Sequence, residues 1–152
     1  IMTSNMGSQI IQENFSAAFD REKLSAEVLE RTRRDVIDML KVHLKPEFLN
    51  RIDEIVMFEP LTRTDIEHIV DIQMGIIRKM LSENGITLDY TPSAKRLIAK
   101  LGYDPLFGAR PVKRVIQREV VNELSKRILA SGVNRDKPIL IDAEGERLTY
   151  SN

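Results

Sequence analysis

Two glycines and two prolines fall within the ten residues Gly102-Tyr103-Asp104-Pro105-Leu106-Phe107-Gly108-Ala109-Arg110-Pro111. A cluster of this kind specifies a fixed loop leading to a helix start. The flanks agree with that reading. Upstream, Thr91-Pro92 opens a short helix that ends at Gly102. Downstream, Pro111 opens a longer helix with Val112, Ile116, Val120, Leu124 and Ile128 on its inner side and Gly132 after it.

The neighbouring segments extend the pattern. Thr62 or Thr64 can cap a helix, with Asp65 or Glu67 completing a capping box. Its inner stripe is Ile66, Ile69, Val70, Gln73, Met74, Ile77, Met80 and Leu81. Gly85 stands where a helix C-terminus wants a left-handed residue. Ile86, Leu88 and Tyr90 alternate with Thr87 and Asp89, as in a half-buried strand. Two more apolar runs flank Ala143-Glu144-Gly145 and read as a hairpin. Residues 61–152 are therefore an α+β unit of three helices and three short strands.

The first 60 residues read differently. Ile1 and Met2 look like a strand end running into a Thr-Ser-Asn turn. Residues 10–24 are weakly patterned and suit a mobile helix or loop. Residues 25–43 place Val28, Leu29, Val36, Met39 and Leu40 at helical spacing. Pro46 starts a short helical turn. Ile55-Val56-Met57-Phe58 suits a buried strand. These pieces hold too few strands for a sheet, so they resemble the trailing part of an α/β domain. The chain starts with Ile rather than Met and reads as the interior of a longer protein. Its apolar faces would then lack their partner strands, which favours disorder, rearrangement or packing on another copy.

Composition excludes several functions. The 152 residues carry zero formal net charge and only 5% aromatics. That balance gives no field to recruit nucleic acid or an anionic membrane. No apolar run reaches the ~18 residues a bilayer span needs. Cysteine is absent, so there is no thiolate nucleophile and no Cys-ligated zinc, and a reducing, cytoplasmic setting suits the chain. His43 and His68 have no metal-ligand spacing, and no metal site is expected. Neither a nucleophile elbow nor the phosphate-binding pattern Gly-x4-Gly-Lys-Ser/Thr occurs.

Three stretches can still carry chemistry. Asn5, in Thr3-Ser4-Asn5, follows an apolar strand end, where an amide can orient a water; it can equally just make a turn. Arg51 follows the short helix in Phe48-Leu49-Asn50-Arg51-Ile52-Asp53-Glu54. Beside two carboxylates it reads as a surface ion pair of about 0–1 kcal/mol. As a guanidinium of permanent charge it also suits phosphate oxygens. Arg110 opens the long helix, where exposed amides favour an anion. It can also belong to a solvated basic face with Lys113, Arg114 and Arg118.

In this order and spacing, the three stretches resemble the second ATPase module of Clp-family AAA+ proteins. Thr3-Ser4-Asn5 matches the sensor-1 motif, Phe48 to Glu54 the arginine-finger motif, and Gly108-Ala109-Arg110-Pro111 the sensor-2 motif. The resemblance implies that residues 1–59 end the nucleotide-binding large domain and residues 60–152 form the small C-terminal domain. It implies that Asn5 positions the water attacking the γ-phosphate. Arg51 would act in trans on a neighbouring subunit's ATP. Arg110, with Ala109, would contact the phosphates of its own subunit's nucleotide and couple small-domain movement to hydrolysis. Leu61 and Ile69 fall where the family closes over adenine, although both also suit a plain core. The phosphate-binding loop, the Mg2+-binding acidic motif and the pore loop would lie upstream of Ile1, so this stretch alone is expected to be inactive.

Members of the family that feed a peptidase carry an aliphatic-Gly-Phe or aliphatic-Gly-Leu tripeptide between sensor 1 and the arginine finger. Residues 9–45 contain no glycine. The chain is thus most similar to ClpB-type disaggregases. That likeness implies a homohexamer, ATP or ADP with Mg2+, unfolded or aggregated polypeptide substrates and a DnaK-type chaperone partner. The alternatives are a peptidase-partnered ClpC/ClpA-like unfoldase and a free-standing helical interaction module.

Overall fold

The loop at residues 103–109 stands between two helices that meet more closely than ordinary side chains allow. A Cβ placed on Gly102 would lie 2.8 Å from both Cα and Cγ2 of Val112. Only glycine permits that approach. In the computed structural model, residues 1–15, 25–104, 107–130 and 132–152 are described. They divide into two compact units, Ile1–Arg63 and Thr64–Asn152.

In the first unit, α1 (Ser8–Asn14), α2 (Ala26–His43) and α3 (Pro46–Leu49) follow one another. Thr32 and Val36 are buried on α2, and Phe15 is buried after α1. The expected helix at 25–43 forms almost as read. Two expectations fail. Ile1 and Met2 are exposed and outside any strand. Residues 55–58 also form no strand, and Val56 and Phe58 are exposed. The reason is the same in both places: a strand exists only by pairing its backbone groups, and no partner strand occurs here among the described residues. Of the weakly patterned stretch 10–24, residues up to Asn14 belong to α1; residues 16–24 lie outside the described residues.

The second unit contains α4 (Arg63–Ser82, beginning one residue before the boundary), β1 (Leu88–Tyr90), α5 (Pro92–Gly102), α6 (Arg110–Val115), a π-helical segment (Ile116–Val121), α7 (Asn122–Leu129), β2 (Ile139–Glu144) and β3 (Arg147–Ser151). The sheet order is β1-β2-β3. β1 runs parallel to β2, with Leu88 opposite Ile139 and Tyr90 opposite Ile141. Parallel neighbours need a long crossover, and α5 to α7 supply it. β2 turns back into β3 with Glu144 opposite Arg147, and Gly145 takes the left-handed φ of 63° that the tight turn needs. The α+β reading of this part holds.

The core joins Ile66, Val70, Met74 and Ile77 of α4 to Leu88, Ile98, Val112, Val120, Leu124, Ile139 and Ile141. Met80 was expected inside and is exposed. Ile77 and Leu81 continue the stripe of α4, while Met80 falls on its flank, about 60° round from Ile77.

The long helix contains a feature the periodicity did not anticipate. Its inner residues recur strictly every four positions, whereas an α-helix repeats every 3.6. Four such steps would drift by about 160° around a straight α-helix. The π-helical turn at Ile116–Val121 holds more residues per turn and absorbs that drift. Val112, Ile116, Val120 and Leu124 are consequently all buried.

Polar contacts lock the periphery. Thr91 caps α5, accepting from the Ala94 amide at 3.1 Å, and donates to Asp142 at 2.5 Å. That hydroxyl and the Ala143 amide hold the Asp142 carboxyl below its ordinary range. Tyr90 donates to Asp71 at 2.9 Å, and Lys95 reaches the other Asp71 oxygen at 3.2 Å. Arg78 lies over the Tyr90 ring at 4.9 Å and donates to the Leu88 carbonyl at 2.8 Å. Burial, with the Asp71 bond second, pushes the Tyr90 phenol up to about 12. Burial, with the Glu123 and Glu119 carboxylates next, does the same for Tyr150.

Two predictions follow from these contacts. Gly102→Ala should destabilise the chain by about 1–3 kcal/mol through overpacking. Gly75→Ala, which meets nothing within 4 Å, should instead stabilise it by about 0.5–1 kcal/mol; denaturant unfolding reads both. Second, both phenols stay neutral in the fold above their unfolded pKa of about 10. Their contribution is complete below about pH 10 and is lost as pH rises toward about 12. Unfolding midpoints should fall across that window, and less steeply in Tyr90→Phe.

Candidate functional site

In the first unit, backbone turns position two of the residues singled out by sequence. Ser4 accepts from the Met6 amide at 3.1 Å, and the Asn5 carbonyl accepts from the Ser8 amide at 3.1 Å. Gly7, at φ 82°, carries the chain so close to α2 that a Cβ there would lie 3.1 Å from Val36 and 3.2 Å from Met39. Asn14 then ties α1 to α2 through Thr32 at 3.1 Å and Asp35 at 3.2 Å. The Asn5 side chain projects from this braced turn and is exposed.

Arg51 sits in the turn that ends α3. Pro46 occupies the first helical turn. The Arg51 amide donates to Phe48 and the Ile52 amide to Leu49, each at 3.1 Å. The backbone is fixed while the guanidinium is exposed. The ion pair with Asp53 or Glu54 that the sequence allowed does not form: among the described residues, Arg51 pairs with no carboxylate. Its charge is available to an external anion.

In the second unit, the loop before α6 closes on itself. Asp104 and Gly108 exchange backbone bonds at 3.1 and 2.7 Å, and the Asp104 carboxylate accepts from the Phe107 amide at 3.1 Å. Gly108 adopts a φ of 60°, open to glycine at no steric cost. Pro105 and Leu106 lie outside the described residues. Ala109 is the half-buried N-cap of α6 and Arg110 its exposed first residue. Arg110 has no carboxylate partner among the described residues. Arg118 of the basic face is taken by Glu119 at 2.6 Å, so this face is partly neutralised.

The structure therefore brings Ala109 and Arg110 together at one helix start. Asn5, Arg51 and Leu61 belong to the first unit, and Ile69, Ala109 and Arg110 to the second. Leu61 and Ile69 are half-buried, as a residue lining an apolar pocket and a plain core residue both are. Two exposed, braced guanidiniums suit the phosphates of a nucleotide, since each can bridge two oxygens. No three metal-ligating side chains converge among the described residues. Sequence reasoning missed Tyr150 and the π-helical turn it contacts. The strict four-residue spacing from Val112 to Ile128 was the signal that could have found the turn.

The profile of the C-terminal D2-small domain of ClpB protein matches residues 61–141. The chaperone protein ClpB of Bacteroides thetaiotaomicron is 50% identical over 156 residues, covering 100% of this chain and 17% of that protein. ClpB of Porphyromonas gingivalis is 47% identical, again over 100% of this chain and 17% of the relative. The solved structure of the S. cerevisiae Hsp104-ADP complex matches with a TM-score of 0.74 and 37% identity, over 96% of this chain and 24% of that one. The chain thus spans about a sixth of the length of these ClpB relatives. With the family profile covering more than half of the sequence and identity running its full length, the chain belongs to the ClpB family of chaperone proteins.

Proposed function

We propose that this chain is the C-terminal portion of the second ATPase module of a hexameric, ATP-dependent protein disaggregase. Residues 1–59 are the end of its large domain and residues 60–152 its small domain. The observation that carries this reading is the match of the D2-small profile to residues 61–141, joined to three motifs in family order within one chain. Bound ATP supplies the phosphoryl group whose hydrolysis drives unfolding.

Each residue has a role suited to its exposure and charge. Arg110 holds the phosphates of its own subunit's nucleotide, because an unpaired guanidinium at a fixed helix start offers a bidentate contact. Arg51 reaches the γ-phosphate of the neighbouring subunit and stabilises charge in the transition state, an effect of about 10³–10⁵ in turnover for GTPases. Asn5 orients the attacking water through its amide. Leu61 and Ile69 close over the adenine, with Ala109 beside Arg110. The Mg2+ ligands and the phosphate-binding loop belong to other parts of the protein, and the chain by itself does not hydrolyse ATP. The substrates are unfolded or aggregated polypeptides, handed over with a DnaK-type partner in the cytoplasm. No helix among the described residues is long and apolar enough to cross a membrane.

The test is Arg51→Ala in the whole protein, with ATP turnover measured beside nucleotide binding and ring assembly. Turnover of this module should fall by at least ~10²-fold, about 2.7 kcal/mol, while binding and assembly persist. Unchanged turnover in an intact ring would reduce Arg51 to a surface cation.

A further inference from the structure

The helical stretch that starts at Arg110 is held at both ends. At its start, the close approach of Gly102 to Val112 fixes α6 against α5. Near its far end, Arg127 donates to the Tyr150 carbonyl at 3.3 Å and lies over the Tyr150 ring at 4.9 Å. Tyr150 itself is paired with Ile141 in the hairpin. The π-helical segment lies between these anchors.

Backbone accounting shows what that segment lacks. The Asn122 amide still donates five residues back, to Gln117. α7 then resumes the four-residue pattern, and the change from five-residue to four-residue bonds passes over one carbonyl, which must find a donor outside the helix or stay unpaired at a cost. The Tyr150 hydroxyl donates to the Glu119 carbonyl, inside the π-helical segment.

We propose that Tyr150 is a positioning residue for Arg110. Its hydroxyl stabilises the π-helical turn over an uninterrupted α-helix. The turn in turn sets the angle at which Arg110 leaves the helix relative to the hairpin-anchored α7. Were the extra residue removed, the start of the helix would rotate by about 100° and shift by about 1.5 Å relative to α7. A guanidinium displaced on that scale no longer meets the same phosphate oxygens. The proposal rests on the reading of Arg110 as a nucleotide contact.

The experiment is a double-mutant cycle in the whole protein, using Tyr150→Phe, Arg110→Ala and both together. Tyr150→Phe keeps the ring and its contact with Arg127 and removes only the hydroxyl. Titration with fluorescent ADP reads affinity, ATP turnover reads KM and kcat, and thermal unfolding reads the fold. Tyr150→Phe should weaken ADP binding and raise KM by about tenfold, with kcat changed less than about twofold. The combined variant should bind no more weakly than Arg110→Ala alone, because both act through one contact. If Arg110→Ala weakens binding and Tyr150→Phe only lowers the unfolding temperature, the tyrosine is merely structural and the proposal is wrong. Additive losses also overturn it. If Arg110→Ala leaves affinity unchanged, the nucleotide reading of Arg110 fails and takes the proposal with it. Should Tyr150→Phe fail to fold, deletion of Gln117, an exposed residue of the π-helical segment, changes the helix phase while keeping the hydroxyl. Unchanged affinity in that variant overturns the proposal.

Discussion

The contact of Gly102 with the backbone of Val112 decides where the helical stretch from Arg110 to Leu129 begins. A side chain at position 102 would need space already held by Val112 Cα at 2.8 Å. Because α5 ends in glycine, α6 can start directly against it, and Asp104 must pair back with Gly108. These two residues exchange both backbone bonds. Arg110 is then the first residue to emerge, with its backbone fixed and its charge exposed. A packing constraint in the core thereby sets where the Arg110 cation stands.

The remainder of the second unit keeps that helix in register. Its four-residue apolar stripe would wander off the core in a straight α-helix, and the π-helical turn brings it back. The hairpin meets this turn through Tyr150, whose hydroxyl donates to the Glu119 carbonyl. On the other side of the sheet order, Asp71 receives both Tyr90 and Lys95, which joins α4, β1 and α5. These groups are polar, yet none is left unsatisfied among the buried side-chain atoms described. Packing and polar accounting thus converge on one arrangement, as expected of a sequence whose local and global preferences agree.

Much of this was legible in the residues. Pro92, Gly102, Pro111 and Gly145 marked element boundaries because proline and glycine act through the local backbone. The alternation at Leu88 to Tyr90 and at Ile139 to Ile141 gave the strands. Residues 55–58 misled because an apolar run reports burial in whatever partner it has, and a strand needs pairing that a local pattern cannot supply. Met80 misled because a helical stripe has soft edges. The π-helical turn was missed although its cause, a period of four, was visible. For the site, the sequence could name Asn5, Arg51 and Arg110 only through motif order. That Arg51 stands clear of Asp53 and Glu54 required coordinates, since neighbours in sequence need not face one another.

The function we propose divides one task between two arginines, with Arg110 serving the nucleotide of its own subunit and Arg51 that of the next. Mixed rings test this most directly. One partner carries Arg51→Ala with its phosphate-binding loop intact, and the other carries a disabled loop with Arg51 intact. Each is nearly inactive in this module alone. If Arg51 acts in trans, mixing restores turnover at every interface that joins an intact loop to an intact Arg51. If the mixed rings assemble and stay as inactive as either parent, the arginine acts within its own subunit or not at all.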